Sequence, residues 1–268
     1  MARRGREDSA RGRERAELVG LHPVREALRA RRREFQRLRV LRGLSRPELP
    51  EILAAARELE LPVEEVSAEQ LGPQVGPDAG QHGLSLLAGP LPELGLKELA
   101  AAGGSPRTLV ALDGVEDPQN LGAIARVAEA SGAAGLLLTQ RRCAPLSAAV
   151  SRASAGAIEW LPVARVVNLR RALDELKQLG FWVFGCDPQA GEAIFSLPDR
   201  VVAGNRVVLL GAEGRGLRRG VGEAVDHSVR IPMAGQVASL NVATAAAVVL
   251  FELARRQPPT ASRQHDSR

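Results

Sequence analysis

Apolar residues at Val242, Ala245, Ala246, Val249 and Leu253 recur at helical spacing directly after a polar loop, IPMAGQVASLN, that carries Pro232, Gly235 and Ser239. The pattern predicts a helix from Asn241 to about Arg256, capped by Ser239 or Asn241. Its small residues Ala243, Ala245, Ala246 and Ala247 let another backbone approach closely, within a core or at a dimer interface. Upstream, continuous apolar runs mark buried strands: TLVALDGV, AGLLLT, FWVFGCD and RVVLLGAEG. Between them NLGAIARVAEASG and NLRRALDELKQLG read as helices stopped by Gly132 and Gly180. Strands alternating with helices over 108–257 predict an α/β domain with a mainly parallel sheet.

A second, smaller α/β pattern occupies 16–89. LVG, LRVLRG, PVEEVS and LSLLAG read as strands, with helices over His22–Arg31 and Glu48–Glu60, the latter turning Ile52, Leu53 and Ala56 inward. Residues 90–107, PLPELGLKELAAAGGSPR, are rich in Pro, Gly and Ala around one helical turn and read as a linker. The basic stretch 1–15 and the tail 258–268 lack apolar periodicity and are expected to be disordered.

Composition changes the picture in two ways. Lys plus Arg number 36 against 31 Asp plus Glu, all but Lys97 and Lys177 being arginine, which suits an acidic partner such as nucleic acid. Aromatic residues are only 3% and Tyr is absent, so RNA contact is expected through phosphate and shape rather than base stacking. Arg25, Arg29, Arg31, Arg32 and Arg33 line the first helix and the turn after it, as phosphate ligands or as a solvated face. Cys143 and Cys186 form no CxxC pair, which points to a reducing, cytoplasmic setting. His22, His82, His227 and His265 lack metal-ligand spacing, so no metal is expected, and no apolar run approaches membrane-spanning length.

Three segments place glycines and polar residues directly after buried strands, where parallel α/β sheets bind ligands: LDGVEDPQNLGAIAR, LLGAEGRGL and IPMAGQVASLN. Taken singly, each has a structural reading. Asn120 could be an N-cap and Arg126 a surface residue paired with Glu129, while Glu213 could cap a neighbouring amide. Neither GxGxxG nor GxxxxGK[ST] occurs, so a nucleotide-like cofactor must be held by other means.

In order and spacing, DPQNLGAIAR, GAEGRGL and IPMAGQVASLNVATA resemble the three motifs of the SpoU family (TrmH-like, SPOUT superfamily) of RNA ribose 2′-O-methyltransferases. The likeness runs from Thr108 to about Arg256. The domain in front resembles the RNA-binding substrate domain of the family's ribosomal RNA members, the RlmB type: VGLHPVREAL fits, while Gln81, His82 and Gly83 stand where members commonly show His-Gln-Gly. The third motif carries Ala243 and Thr244 where SLNVSVA is frequent. The resemblance implies a trefoil-knotted α/β domain, a homodimer, and S-adenosylmethionine held chiefly by backbone groups at Gly211, Ile231 and Leu240. It also implies catalytic roles for Asn120, Arg126, Glu213, Ser239 and Asn241.

The activity implied is 2′-O-methylation of a guanosine in 23S ribosomal RNA. A transfer RNA ribose methyltransferase and an antibiotic-resistance methyltransferase are the enzymatic alternatives. A fold retained only for RNA binding in ribosome assembly is the non-enzymatic one.

Overall fold

The computed structural model describes residues 15–75 and 83–257, so Gln81, His82, the tail 258–268 and all but Arg15 of the basic stretch lie outside the described residues. The chain forms two compact units, Met1–Pro92 with Pro145–Trp160 and Glu93–Ala144 with Leu161–Arg268.

The first unit begins with β1 (Ala16–Val19), α1 (Leu21–Ala30), β2 (Phe35–Leu41), α2 (Leu49–Glu58), β3 (Val63–Val66), α3 (Ala68–Val75) and β4 (Leu84–Ala88). The sheet order is β1-β4-β2-β3, with β4 antiparallel to both neighbours and β2 parallel to β3. In β2 the alternation of FQRLRVL turns Leu38 and Val40 inward, where they join Leu18, Val24, Leu28, Ile52, Leu84 and Leu86 in one core. Helix α3, with Gly72 and Pro73 in its sequence, has no counterpart in the sequence reading.

The second unit contains α4 (Leu96–Ala101), β5 (Thr108–Asp113), α5 (Pro118–Ala130) and β6 (Gly135–Thr139). The chain then passes through α6 (Ala148–Ala153) and a 3-10 turn (Ala157–Glu159), both in the first unit, before returning. It continues with β7 (Val163–Val166), α7 (Leu169–Gln178), β8 (Trp182–Cys186), β9 (Glu192–Ala193), α8 (Asp199–Val202), β10 (Arg206–Gly211), α9 (Arg219–Gly222), β11 (His227–Arg230) and α10 (Val242–Arg255). The seven strands form one parallel sheet in the order β7-β6-β5-β10-β8-β11-β9. Every residue of β5 and β6 is buried, as a strand covered on both faces requires. Leu109, Ala111, Val207 and Leu209 face α4 and α7 in one core cluster. Strand alternation gives Val110, Leu112, Val208 and Leu210 to the other face, where α5 and α10 pack together.

Two expectations change. Residues 93–107 are no free linker: the Leu94 amide donates to Val163 O at 2.8 Å, and α4 buries Leu99 and Ala100 in the second unit. Pro145–Trp160 packs in the first unit although it sits within 108–257.

The reason for the second change is a buried ion pair inside the first unit. Arg33 donates to Glu159 through Nε at 2.7 Å and Nη2 at 2.9 Å, and through Nη1 to Gly89 O at 3.0 Å. Ser151 Oγ donates to the same carboxylate at 2.8 Å, and both charged side chains are 1% exposed. Of the arginine run read as phosphate ligands or a solvated face, Arg33 is therefore committed inside the protein, while Arg29 and Arg31 stay exposed with surface ion pairs. Arg25 and Arg29 hold Glu26, Arg31 holds Glu58, and Arg32 donates to Glu159 O at 3.1 Å.

A buried, fully bonded charge pair is costly to break from one side. Glu159→Ala should destabilise the first unit by about 3–5 kcal/mol, whereas an apolar pair such as Arg33→Met with Glu159→Leu should cost much less. Urea unfolding of the single and double variants checks this.

Candidate active site

The first motif begins where β5 ends. Gly114 has φ 85°, and a Cβ there would lie 3.3 Å from Ala212 Cβ, so this turn brings the first two motifs against each other. Asp117 caps α5, its Oδ1 accepting from the Gln119 amide at 2.9 Å, with Pro118 in the first helical position. The cap expected of Asn120 is thus supplied three residues earlier, and the Asn120 side chain is left for another partner.

That partner is Asn241. Its Nδ2 donates to Asn120 Oδ1 at 2.9 Å and to Glu213 Oε1 at 2.6 Å. Its Oδ1 accepts from the amides of Ala243 at 2.9 Å and Thr244 at 3.3 Å, capping α10. A primary amide has two N–H donors and two acceptor lone pairs, and here all four are used. One side chain therefore ends a helix and ties together all three motifs. Glu213 is held by Asn241, not by Arg126 and not as the cap of a neighbouring amide.

The second motif is a glycine turn closed by reciprocal bonds, Ala212 N to Gly216 O at 3.2 Å and Gly216 N to Ala212 O at 2.9 Å. A Cβ on Gly211 would meet the Gly216 carbonyl carbon at 2.3 Å, so only glycine fits. Beyond the turn, Arg218 is bound to Asp113 by its amide, to Oδ2 at 2.9 Å, and by its guanidinium, through Nε at 2.6 Å and Nη2 at 2.5 Å to Oδ1. Asp113 is fully buried at the end of β5, so this pair fastens the glycine turn to the neighbouring strand. The sequence reading did not single it out. A carboxylate ending an otherwise apolar strand was the available signal.

Arg126 lies two turns along α5, exposed, and makes no hydrogen bond or ion pair among the described residues, including none with Glu129. Ile231 and Leu240 are half-buried and flank an exposed loop without regular structure, in which Ser239 makes no side-chain hydrogen bond among the described residues. The cap thus falls to Asn241, not Ser239. A cleft of about 480 Å³ elsewhere in this unit touches Arg170, Arg218 and Asn168, but both guanidiniums are already paired and the Asn120–Asn241–Glu213 junction is not in its wall.

Other chemistries have little support here. Burial pushes the Cys186 thiol up to about 12 and also raises Cys143, so neither is a ready nucleophile. Among the described residues no three His, Cys, Asp or Glu side chains converge, and no helix is long and apolar enough to cross a membrane.

The SpoU rRNA Methylase family model matches residues 107–251, more than half of the chain. The chain belongs to the SpoU family. A second model, for RNA 2′-O ribose methyltransferase substrate binding, matches residues 18–81. A SpoU-type relative, 23S rRNA (guanosine-2′-O-)-methyltransferase RlmB of Pseudomonas putida, is 36% identical over 90% of this chain and 96% of its own. A solved RNA 2′-O ribose methyltransferase has TM-score 0.73 and 31% identity, covering 91% of this chain and 89% of its own. An AdoMet-bound rRNA methyltransferase of Sinorhizobium meliloti has TM-score 0.70 and 25% identity, covering 90% and 87%. The SpoU match takes in all three motifs that meet at Asn241.

The two jobs of Asn241 are separable. Asn241→Ala should cost about 1 kcal/mol through loss of the cap, while Asn241→Ser, which can still accept from the helix amides, should cost only a few tenths. Both lose the link to Asn120 and Glu213. Thermal unfolding of the two variants reads the difference.

Proposed function

We propose that this protein transfers a methyl group from S-adenosylmethionine to the ribose 2′-hydroxyl of a guanosine in 23S ribosomal RNA. The observation that carries the reading is the junction at Asn241, which brings Asn120 and Glu213 together in a SpoU chain whose Arg126 is exposed and unpaired. The substrate-binding domain and the RlmB relative favour ribosomal over transfer RNA. Mapping 2′-O-methyl sites in ribosomal and transfer RNA, with and without the protein, tests this, and no protein-dependent site in either pool would leave only the RNA-binding alternative.

The residues present fit the cofactor. Gly214 and Gly235 have open space where a Cβ would stand, and the half-buried Ile231 and Leu240 bracket backbone unoccupied by regular structure. Such a site can hold an adenosine through main-chain groups near Gly211, Ile231 and Leu240 without a dinucleotide fingerprint. When bound, the cofactor supplies an electrophilic methyl group on a sulfonium.

The protein's remaining task is to align the hydroxyl and stabilise the charge that develops on its oxygen. Arg126 cannot act as a base, because guanidinium keeps its proton in proteins. Its five N–H donors suit an RNA phosphate and the developing alkoxide together, leaving deprotonation to phosphate or water. Glu213 and Asn120, spaced by the Asn241 amide, position the ribose. Ser239, exposed on the loop beside them with its hydroxyl unengaged among the described residues, is left to contact the incoming ribose. No metal takes part in this scheme.

The same reading includes a trefoil knot, a homodimer and a cytoplasmic setting. In support of the knot, the chain leaves β11 beyond β8 and returns to pack α10 on α5, past a glycine turn pinned at Asp113. In support of the dimer, Thr244, Val248, Phe251 and Arg255 form an outward stripe on α10, with Phe251 51% exposed and Phe195 48% exposed.

Light scattering at micromolar concentration should give twice the chain mass. An active monomer would exclude the dimer. Arg126→Ala should leave cofactor affinity nearly unchanged by calorimetry and slow single-turnover methylation by about 100-fold or more. Lysine should rescue poorly, because it lacks the planar fork. Lost cofactor affinity with an unchanged single-turnover rate would instead put Arg126 in the cofactor pocket.

A further inference from the structure

The loop after β6 presents two adjacent guanidiniums that the fold does not use. Arg141 and Arg142 are both exposed, and among the described residues neither makes a side-chain hydrogen bond or an ion pair. In the same unit, Arg170, Arg218, Arg255 and Arg256 are all paired with carboxylates. Arg126, Arg171, Arg200 and Arg215 are also exposed and without an ion pair among the described residues, Arg126 and Arg215 within the first two motifs and Arg171 and Arg200 each standing singly.

The loop that carries the two arginines is held at both ends. Gln140 N donates to Val166 O at 2.9 Å, and Ala144 N donates to Val115 O at 3.0 Å, beside the first motif. Thr139 Oγ1 donates to Arg141 O at 2.6 Å. Arg165 spans the loop, donating to Thr139 O at 3.4 Å and Ala144 O at 3.3 Å, while Glu93 holds its Nε at 2.7 Å. Arg142 is kept at φ 58°, a region non-glycine residues seldom occupy. A braced loop loses little entropy when its side chains engage a ligand.

Sheet register puts the loop beside the reactive end. Gly211 pairs with Asp113, and Ala111 with Leu137, so two residues on Thr139 stands level with Asp113. Thr139 and Gly211 are thus two strand spacings apart, roughly 10 Å. Glu116, on the intervening turn, is exposed and forms no ion pair with either arginine among the described residues.

We propose that Arg141 and Arg142 clamp backbone phosphate of the RNA beside the ribose to be methylated, as positioning residues that act on the substrate strand. This rests on the RNA methyltransferase reading above. Guanidinium is the side chain best matched to phosphate, and two on one braced turn fix register along a strand without reading sequence.

The test pairs Arg141→Ala/Arg142→Asn, in which asparagine tolerates the positive φ, with Arg200→Ala, another exposed arginine but placed ahead of β10 at the opposite end of the sheet. An unmodified 23S rRNA transcript is the probe. The double variant should bind it about tenfold or more weakly, and its plot of log affinity against log salt should flatten by about one to two. S-adenosylmethionine affinity should stay within about threefold of wild type, and Arg141→Lys/Arg142→Lys should keep the salt slope. Wild-type affinity and slope in the double variant, with the wild-type protein methylating the transcript, would overturn the clamp and leave the methyltransferase reading standing. An equal loss in Arg200→Ala would also overturn it, as general charge attraction. A wild-type protein that neither binds nor methylates the transcript would remove both readings.

Discussion

The side-chain amide of Asn241 is the constraint on which the candidate site of the second unit depends. Helix α10 needs a cap, because its first amides have no intrahelical partner, and asparagine is among the few residues that supply one. Once its oxygen is committed to the helix, its nitrogen must point the other way, and the Glu213 and Asn120 oxygens lie there. A requirement of helix termination therefore sets where two other motifs can sit. Aspartate would cap as well, but it would oppose Glu213 with a second carboxylate and has no donor for Asn120.

The Asp113–Arg218 pair does for the backbone what Asn241 does for the side chains. A buried carboxylate is tolerated only with strong partners, and Asp113 obtains a main-chain amide and a guanidinium from one residue. The glycine turn between Gly211 and Arg218 is thereby anchored at both ends, by β10 before it and by β5 beside it. Its many glycines permit a tight path rather than a loose one, since a Cβ on Gly211 would collide with the backbone of Gly216.

Much of this was legible in the sequence where a local rule decides the outcome. The runs TLVALD and GLLLT had to be buried strands, and the spacing of Val242, Ala246, Val249 and Leu253 had to give a packed helix face, because burial is written in consecutive residues. Strand β7 was missed because VARV is four residues long and only its first two are buried. Helix α6 was missed for a similar reason, SAAVSRASAG having neither a strong stop nor clear apolar periodicity. Within the arginine run at 25–33, Arg33 departs from the reading because the carboxylate that takes it up lies 126 residues away, beyond any window of local reasoning. In the site, the three motifs were visible as separate words, but their meeting at one amide depends on how strands β5 and β10 pair. Asn120 looked like a cap until Asp117, followed by Pro118, took that place.

The excursion of Pro145–Trp160 into the first unit has a consequence for the order in which the protein is made. A ribosome releases the chain from its beginning, and a domain ordinarily closes once its last residue has emerged. Here the first ninety or so residues emerge with Arg33 in place but without Glu159, Ser151 or α6, so their core has no lid and their buried guanidinium no counter-ion. Only after β5, α5 and β6 of the second unit have followed can the first be completed. Assembly of the two units is interleaved in time as well as in sequence, and a nascent chain halted between Pro92 and Pro145 would hold an unfinished first unit.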